Sequence, residues 1–377
     1  MRAYVLGDAR LRKLAGQVVR LEIDTEKPGN APFLEAFPID VWPTLLVVDP
    51  RTEKAVLRWA GTATAAQVEA LVRDGLRAVR AERAGEADAA LARADALAAE
   101  RRRGEAAQAY RAALAAGGRS WPGAARAAES LVQALALGGE AGPCAREAEA
   151  RLPRLAPPAA AARVAAQGLG CALEAEPRDA ALVAALERGA GALLGAKGVL
   201  ADDRSWLFDA LSSAREAAGD EAGARALARR WLAFLEAEAA RAPTPAARSA
   251  FDGPRVSAAL RLGEPRRALA AVKASERDLP GEFAPAGLRA VLHLELGEPA
   301  EALAAARRAL ARAEGPRRVR LHVLAARAYE ALGDRGAARA SLERAISEGA
   351  AMPEAVRPER QLRDARDRLA RLGGEGG

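Results

Sequence analysis

A chain of 377 residues exceeds the roughly 250–300 at which a single hydrophobic core stops growing, so it holds either several domains or one long repeat array. Half of its residues are hydrophobic but only 4% are aromatic, which excludes a bulky mixed core over most of its length and favours helices packed through small side chains. The formal charge of +7 comes mostly from arginine interleaved with acids, a pattern of solvated helix faces; no aromatic residues sit among the bases, so no nucleic-acid partner is expected.

No window approaches the ~18 consecutive apolar residues of a membrane span, and the first residues lack the charge, apolar run and cleavage site of a signal peptide. As written, the sequence reads as cytoplasmic and without a membrane span; a leader upstream of Met1 would make it periplasmic. Cys144 and Cys171 lie 27 apart and fit neither a metal motif nor a C-x-x-C pair. They read as two small buried hydrophobes or, in an oxidising compartment, as a disulfide between adjacent helices.

In chain order, residues 3–15 place Tyr4, Val5, Leu6, Leu11 and Leu14 among bases, the pattern of a short amphipathic helix closed near Gly16. Val18, Val19, Leu21 and Ile23 then mark a strand ending at Asp24, and the segment TEKPGNAPFLEAF is a turn followed by a short helix. The run TLLVVDP suits a strand buried on both faces, AVLRWAG a shorter strand after a turn at Asp49-Pro50-Arg51. From Thr64 an amphipathic helix carries Val68, Leu71, Val72 and Leu76 on one face.

Ile23-Asp24, Pro28-Gly29-Asn30-Ala31-Pro32, Ile39, Pro43-Thr44 and Gly61 fall in an order and at separations similar to those of the thioredoxin family. The resemblance covers residues 1–80 and implies an α/β thioredoxin-like fragment with an incomplete sheet. It implies a cis peptide bond at Trp42-Pro43 beside a groove that pairs with extended polypeptide, with Val41, Trp42, Pro43, Thr44 and Gly61 as substrate-binding residues. An ordinary trans proline opening a strand is the alternative. The redox C-x-x-C of the family opens its first long helix, and on this alignment Met1 falls just past that motif. The sequence as given therefore carries no catalytic residues, and the expectation is an upstream extension encoding the missing central strand and the cysteines.

Residues 81–377 read as helices separated by Gly and Pro, with one recurring signature: Gly, an acid, and Ala four residues after the acid. It occurs at Gly85, Gly104, Gly219, Gly263, Gly297 and Gly333, placing Ala90, Ala109, Ala224, Ala268, Ala302 and Ala338 at close helix contacts. The last three glycines are 34 and 36 residues apart, and the final copy, with Tyr329, Gly333, Ala338, Leu342 and Ala345, resembles a tetratricopeptide repeat. An all-α tetratricopeptide-like solenoid is expected, degenerate between residues 138 and 200. His293, His322, Trp206 and Trp231 fall at helical positions that suit structural side chains, and neither metal nor cofactor motifs are visible.

Three functions follow as expectations: thiol-disulfide exchange in a longer form with the repeats recruiting partners, a redox-inactive peptide-binding protein using the Pro43 groove, or a repeat scaffold. In each, the partners are proteins or peptides.

Overall fold

The computed structural model describes residues 5–14, 16–80, 85–118 and 120–374. The chain forms two compact units, one of residues 1–20 and 37–228, the other of residues 21–36 and 229–377. The chain crosses between them after Arg20, after Ala36 and after Ala228, so the units do not divide at residue 80.

The first unit opens with a helix much shorter than its amphipathic pattern predicts: α1 spans only Ala9–Arg12, capped by the Asp8 side chain on the Arg10 N–H. Tyr4 lies outside the described residues, while Val5 and Leu14 are buried as the pattern requires. The strand expected over residues 17–23 does not form. Val18 makes an isolated bridge, and Val19 and Leu21 are 87% and 74% exposed. Alternating apolar residues become a strand only beside a partner strand, and among the described residues none is paired with this segment in a ladder.

Strands β1 (Thr44–Asp49) and β2 (Lys54–Ala60) form an antiparallel hairpin in the register Thr44↔Ala60 and Leu46↔Arg58, with a bulge between Val47 and Val48. β1 was expected to be buried on both faces. In a two-stranded sheet it is half-buried over most of its length, only Asp49 being buried. Helix α3 (Ala65–Val79) starts where Thr64 and Gln67 exchange side-chain-to-backbone hydrogen bonds, a reciprocal cap that satisfies two otherwise orphaned N–H groups. Its Gly75 lies against Val47 so closely that a Cβ there would stand 2.5 Å from a Val47 methyl. Val5, Leu57, Trp59, Ala63, Val68 and Leu71 form the core of this part.

The rest of the first unit is a succession of helical hairpins: α4 (Glu86–Ala99), α5 (Arg103–Gly117), α6 (Ala124–Leu137), α7 (Ala141–Arg151), α8 (Pro158–Glu174), α9 (Ala180–Leu193) and α10 (Ala201–Ala217). α11 (Glu221–Ala240) carries the boundary between units. From α4 to α10 each helix packs on its neighbour in sequence, and α6 with α8, α7 with α9 and α8 with α10 also touch. Trp206 on α10 is 37% exposed rather than a core residue.

In the second unit, residues 21–36 contribute a 3₁₀ turn at Pro28–Asn30 and α2 (Ala31–Ala36), as the sequence pattern indicates. The helices are α12 (Pro245–Ser249), α13 (Asp252–Leu262), α14 (Pro265–Asp278), α15 (Ala284–Glu295), α16 (Pro299–Leu310), α17 (Pro316–Ala331), α18 (Arg335–Ala350) and α19 (Glu359–Gly374). Here too neighbours pair, and α13, α15, α17 and α19 stack in turn on one another. Contact chiefly between next and next-but-one helices, as among these described residues, is the pattern of a solenoid of helical pairs.

Six of the hairpin turns share one geometry. At Arg101, Gly139, Gly219, Gly263, Gly297 and Gly333 the residue is left-handed, its N–H bonds the carbonyl three residues back, and the next N–H bonds the carbonyl five back, as Asp334 does to Tyr329 at 3.0 Å. This is the Schellman termination, which satisfies the last carbonyls of the outgoing helix. Five residues beyond each left-handed residue comes a buried small side chain: Ala106, Cys144, Ala224, Ala268, Ala302 and Ala338.

The sequence signature is thus right at its last four copies and displaced at its first two. Gly85 is the N-cap of α4 with φ −62°, although Ala90 is buried as expected. Gly104 is the second residue of α5; its turn is made by Arg101, so Ala106 takes the close contact and Ala109 is only half-buried. The stretch from 138 to 200 does keep one copy, Gly139-Glu140, in which Cys144 stands where the signature has alanine.

Candidate functional site

Trp42-Pro43 has a cis peptide bond. The Thr44 hydroxyl donates to the Val41 carbonyl at 2.7 Å, and the Gly61 N–H donates to the Pro43 carbonyl at 2.7 Å. The five residues singled out from the sequence, Val41, Trp42, Pro43, Thr44 and Gly61, are therefore held together at the mouth of the hairpin. Gly61 has φ +97°, which a side chain would strain. The Trp42 indole is 64% exposed.

The helical pairs reach this loop through charged side chains that composition alone did not reveal. Asp40 is gripped by Arg101 at 2.9 Å and Arg103 at 3.0 Å, both from the α4–α5 turn. Behind the loop, Arg163 of α8 binds Glu129 of α6 at 2.7 Å and Asp203 of α10 at 2.9 Å, and donates to Gln67 at 3.2 Å. Its guanidinium stacks 5.6 Å from the centre of the Trp59 ring, whose indole N–H donates to the Thr62 carbonyl. Thr62 in turn donates its hydroxyl to Asp203. Burial pushes the Glu129 and Asp203 carboxyls above their ordinary range even against the shared guanidinium.

A second buried cluster covers one edge of the hairpin. Asp95 of α4 accepts from the Arg58 N–H at 3.1 Å and from the Tyr110 hydroxyl at 2.8 Å, and is paired with Arg126 of α6, which also reaches the Arg58 carbonyl. Burial, and then the Asp95 charge, push the Tyr110 hydroxyl well above its usual pKa. With both backbone groups of Arg58 turned away from β1, antiparallel alternation turns those of its partner Leu46 towards the opposite edge. Among the described residues no third strand covers that edge.

Cys144 and Cys171 are joined in a disulfide between α7 and α8, and both are buried. This resolves the two alternatives left by their spacing. His293 and His322 are buried and bound to Glu298 and Glu348, at 2.7 and 3.3 Å. Among the described residues no group of His, Cys, Asp and Glu has the arrangement of a metal site, and no helix is long and apolar enough to cross a membrane.

No family model matches the chain, and no curated protein matches it. Among solved structures it is similar to a tetratricopeptide repeat protein from Parabacteroides merdae, at 12% identity over 74% of this chain and 98% of that one, with a TM-score of 0.46. It is also similar to the TPR2AB domain of yeast Sti1 in complex with an Hsp90 peptide, at 15% identity, 76% and 98% coverage and a TM-score of 0.30. A third is Acl4, the assembly chaperone of RpL4, at 20% identity, 77% and 99% coverage and a TM-score of 0.35. The description of the chain as tetratricopeptide-like helical pairs stands on its own turns and helix stacking.

Proposed function

We propose that this chain is a polypeptide-binding protein in which the helical pairs of the first unit carry a thioredoxin-like hairpin, β1 and β2, that captures an extended segment along β1. The observation that carries the reading is the asymmetry of the hairpin. The edge at Arg58 is closed by Asp95 and Arg126, while the edge at Thr44 and Leu46, beside cis-Pro43, has no strand on it among the described residues. A segment added there would gain main-chain hydrogen bonds, with Trp42 and Gly61 flanking it.

Thiol-disulfide exchange finds no support in the sulfurs of this sequence, since its two cysteines are buried in one bond to each other. That bond supports an oxidising compartment over the cytoplasm.

The test is binding of a fluorescent, reduced and carboxymethylated polypeptide by anisotropy, comparing the parent chain with Trp42→Ala and Pro43→Ala. A loss of affinity of about tenfold or more is expected for both, with the helical circular dichroism unchanged. Undiminished binding by both variants would move the function to the helical surfaces.

A further inference from the structure

In the second unit, residues 21–36 lie on the helical pairs through an arginine seat. Arg317, near the start of α17, binds both oxygens of Asp24 at 2.9 Å and Glu26 at 2.5 Å. Arg320, one turn further along, takes the other oxygen of Glu26 at 2.8 Å. The Arg317 guanidinium lies over the Phe283 ring, 5.0 Å from its centre, at the start of α15. Gly315 admits the segment's backbone: a Cβ there would stand 2.2 Å from the Glu26 carbonyl oxygen.

The seat thus reads three features: a carboxylate, a second carboxylate two residues on, and a close main-chain approach at that second residue. Beyond them Ala31 and Leu34 are buried, and α2 packs on the 3₁₀ turn Glu354–Val356.

The charged contacts that hold the segment in the seat are partly open to water. Its regular structure is one 3₁₀ turn and six residues of helix. All four charged side chains keep part of their surface in water, from 21% for Arg317 to 47% for Arg320. Exposed ion pairs contribute little each, and segments of this kind open locally at a small fraction of the global stability. The seat itself belongs to α17 and the start of α15, helices packed on their own neighbours.

We infer that the Arg317–Arg320–Phe283 seat is a binding site for acidic polypeptide segments bearing Asp-x-Glu, and that residues 21–36 are its resident occupant, which such a partner must displace. The inference is independent of the Pro43 loop. A tethered occupant competes at an effective concentration on the order of millimolar, so a partner in trans binds weakly until the tethered copy is weakened.

The experiment titrates the full chain with a fluorescent peptide, LEIDTEKPGNAPFLEA, and with its Asn/Gln form neutralised at the two carboxylates. The double variant Asp24→Asn with Glu26→Gln is expected to bind the acidic peptide at least tenfold more tightly than the parent and to discriminate against the neutral peptide. Adding Arg317→Ala and Arg320→Ala should erase the gain. Hydrogen exchange across residues 284–331 reports that the helices remain folded in each variant. Equal affinity in the parent and the double variant, or binding indifferent to the two arginines, overturns the inference and makes residues 21–36 a permanent part of the fold.

Discussion

Arg101 is the one residue that departs from the chemistry of the other hairpin turns. Five turns place glycine in the left-handed position, and here a side chain with φ 60° takes it. For a residue with a Cβ that conformation costs roughly 1–2 kcal/mol, and the compensating contact is its ion pair with Asp40 beside the Trp42-Pro43 loop. Replacing Arg101 by Gly should raise the stability of the first hairpin by about 1 kcal/mol while weakening polypeptide capture. A chemical melt and the anisotropy titration read the two effects separately, and a variant that is less stable than the parent refutes the trade. Cys144 is the complementary case. It occupies the small-residue position of its turn and uses that closeness to bond Cys171. Opening the loop of 27 residues with Cys144→Ser and Cys171→Ser should cost about 3–4 kcal/mol, measured by urea unfolding. Neither residue fits a signature written in Gly and Ala because the turn geometry constrains size and φ rather than identity.

At the scale of elements, what could be read from the sequence depended on whether an element's partner is local. Helices whose neighbours follow directly announce themselves by periodicity and by their terminating glycines, and the last four turns fell where the signature put them. The hairpin β1–β2 was equally legible, its strands being separated by a short turn. Residues 17–23 carry the same alternation yet form no ladder among the described residues, since a strand is specified by a partner that its own sequence does not encode. The polar groups around Arg163 were illegible for a related reason: Glu129, Arg163 and Asp203 sit on three helices, and each alone looks like a solvated charge. Ala338 between α17 and α18 is fully buried, so Ala338→Leu should overpack that pair and lower stability by about 1–3 kcal/mol in a melt. No loss would mean the two helices can separate without penalty. The same pair gives a pH dependence. His322 faces Glu348, Arg318 and Arg344; burial depresses its pKa despite the Glu348 carboxylate. The folded state therefore resists a proton that the unfolded chain accepts at about 6.5. This contribution to stability is complete above that value and is lost as the pH falls from it towards the depressed one. Melting points taken from pH 8 to pH 5 should decline less for His322→Gln than for the parent, and parallel curves would assign the decline elsewhere.

Across the whole molecule, stability is local because the contacts are. The disulfide closes within the first unit, and in a solenoid each helical pair is supported chiefly by its neighbours. A reductant should accordingly raise amide exchange in α7 and α8 and leave protection of α15 to α18 unchanged; a uniform rise would show that the two units unfold together. The seating of Asp24 and Glu26 on Arg317 and Arg320 escapes this locality, joining residues 291 to 294 positions apart. On the ribosome the acidic segment emerges early, while α17 follows only after nearly the whole remaining chain has been made. At the usual 5–20 residues per second that delay is roughly 15–60 s. Throughout it the segment has nowhere to bind in its own chain, so in a polysome the nearest finished arginine seat belongs to an older nascent neighbour, and slow translation favours exchange of this segment between chains.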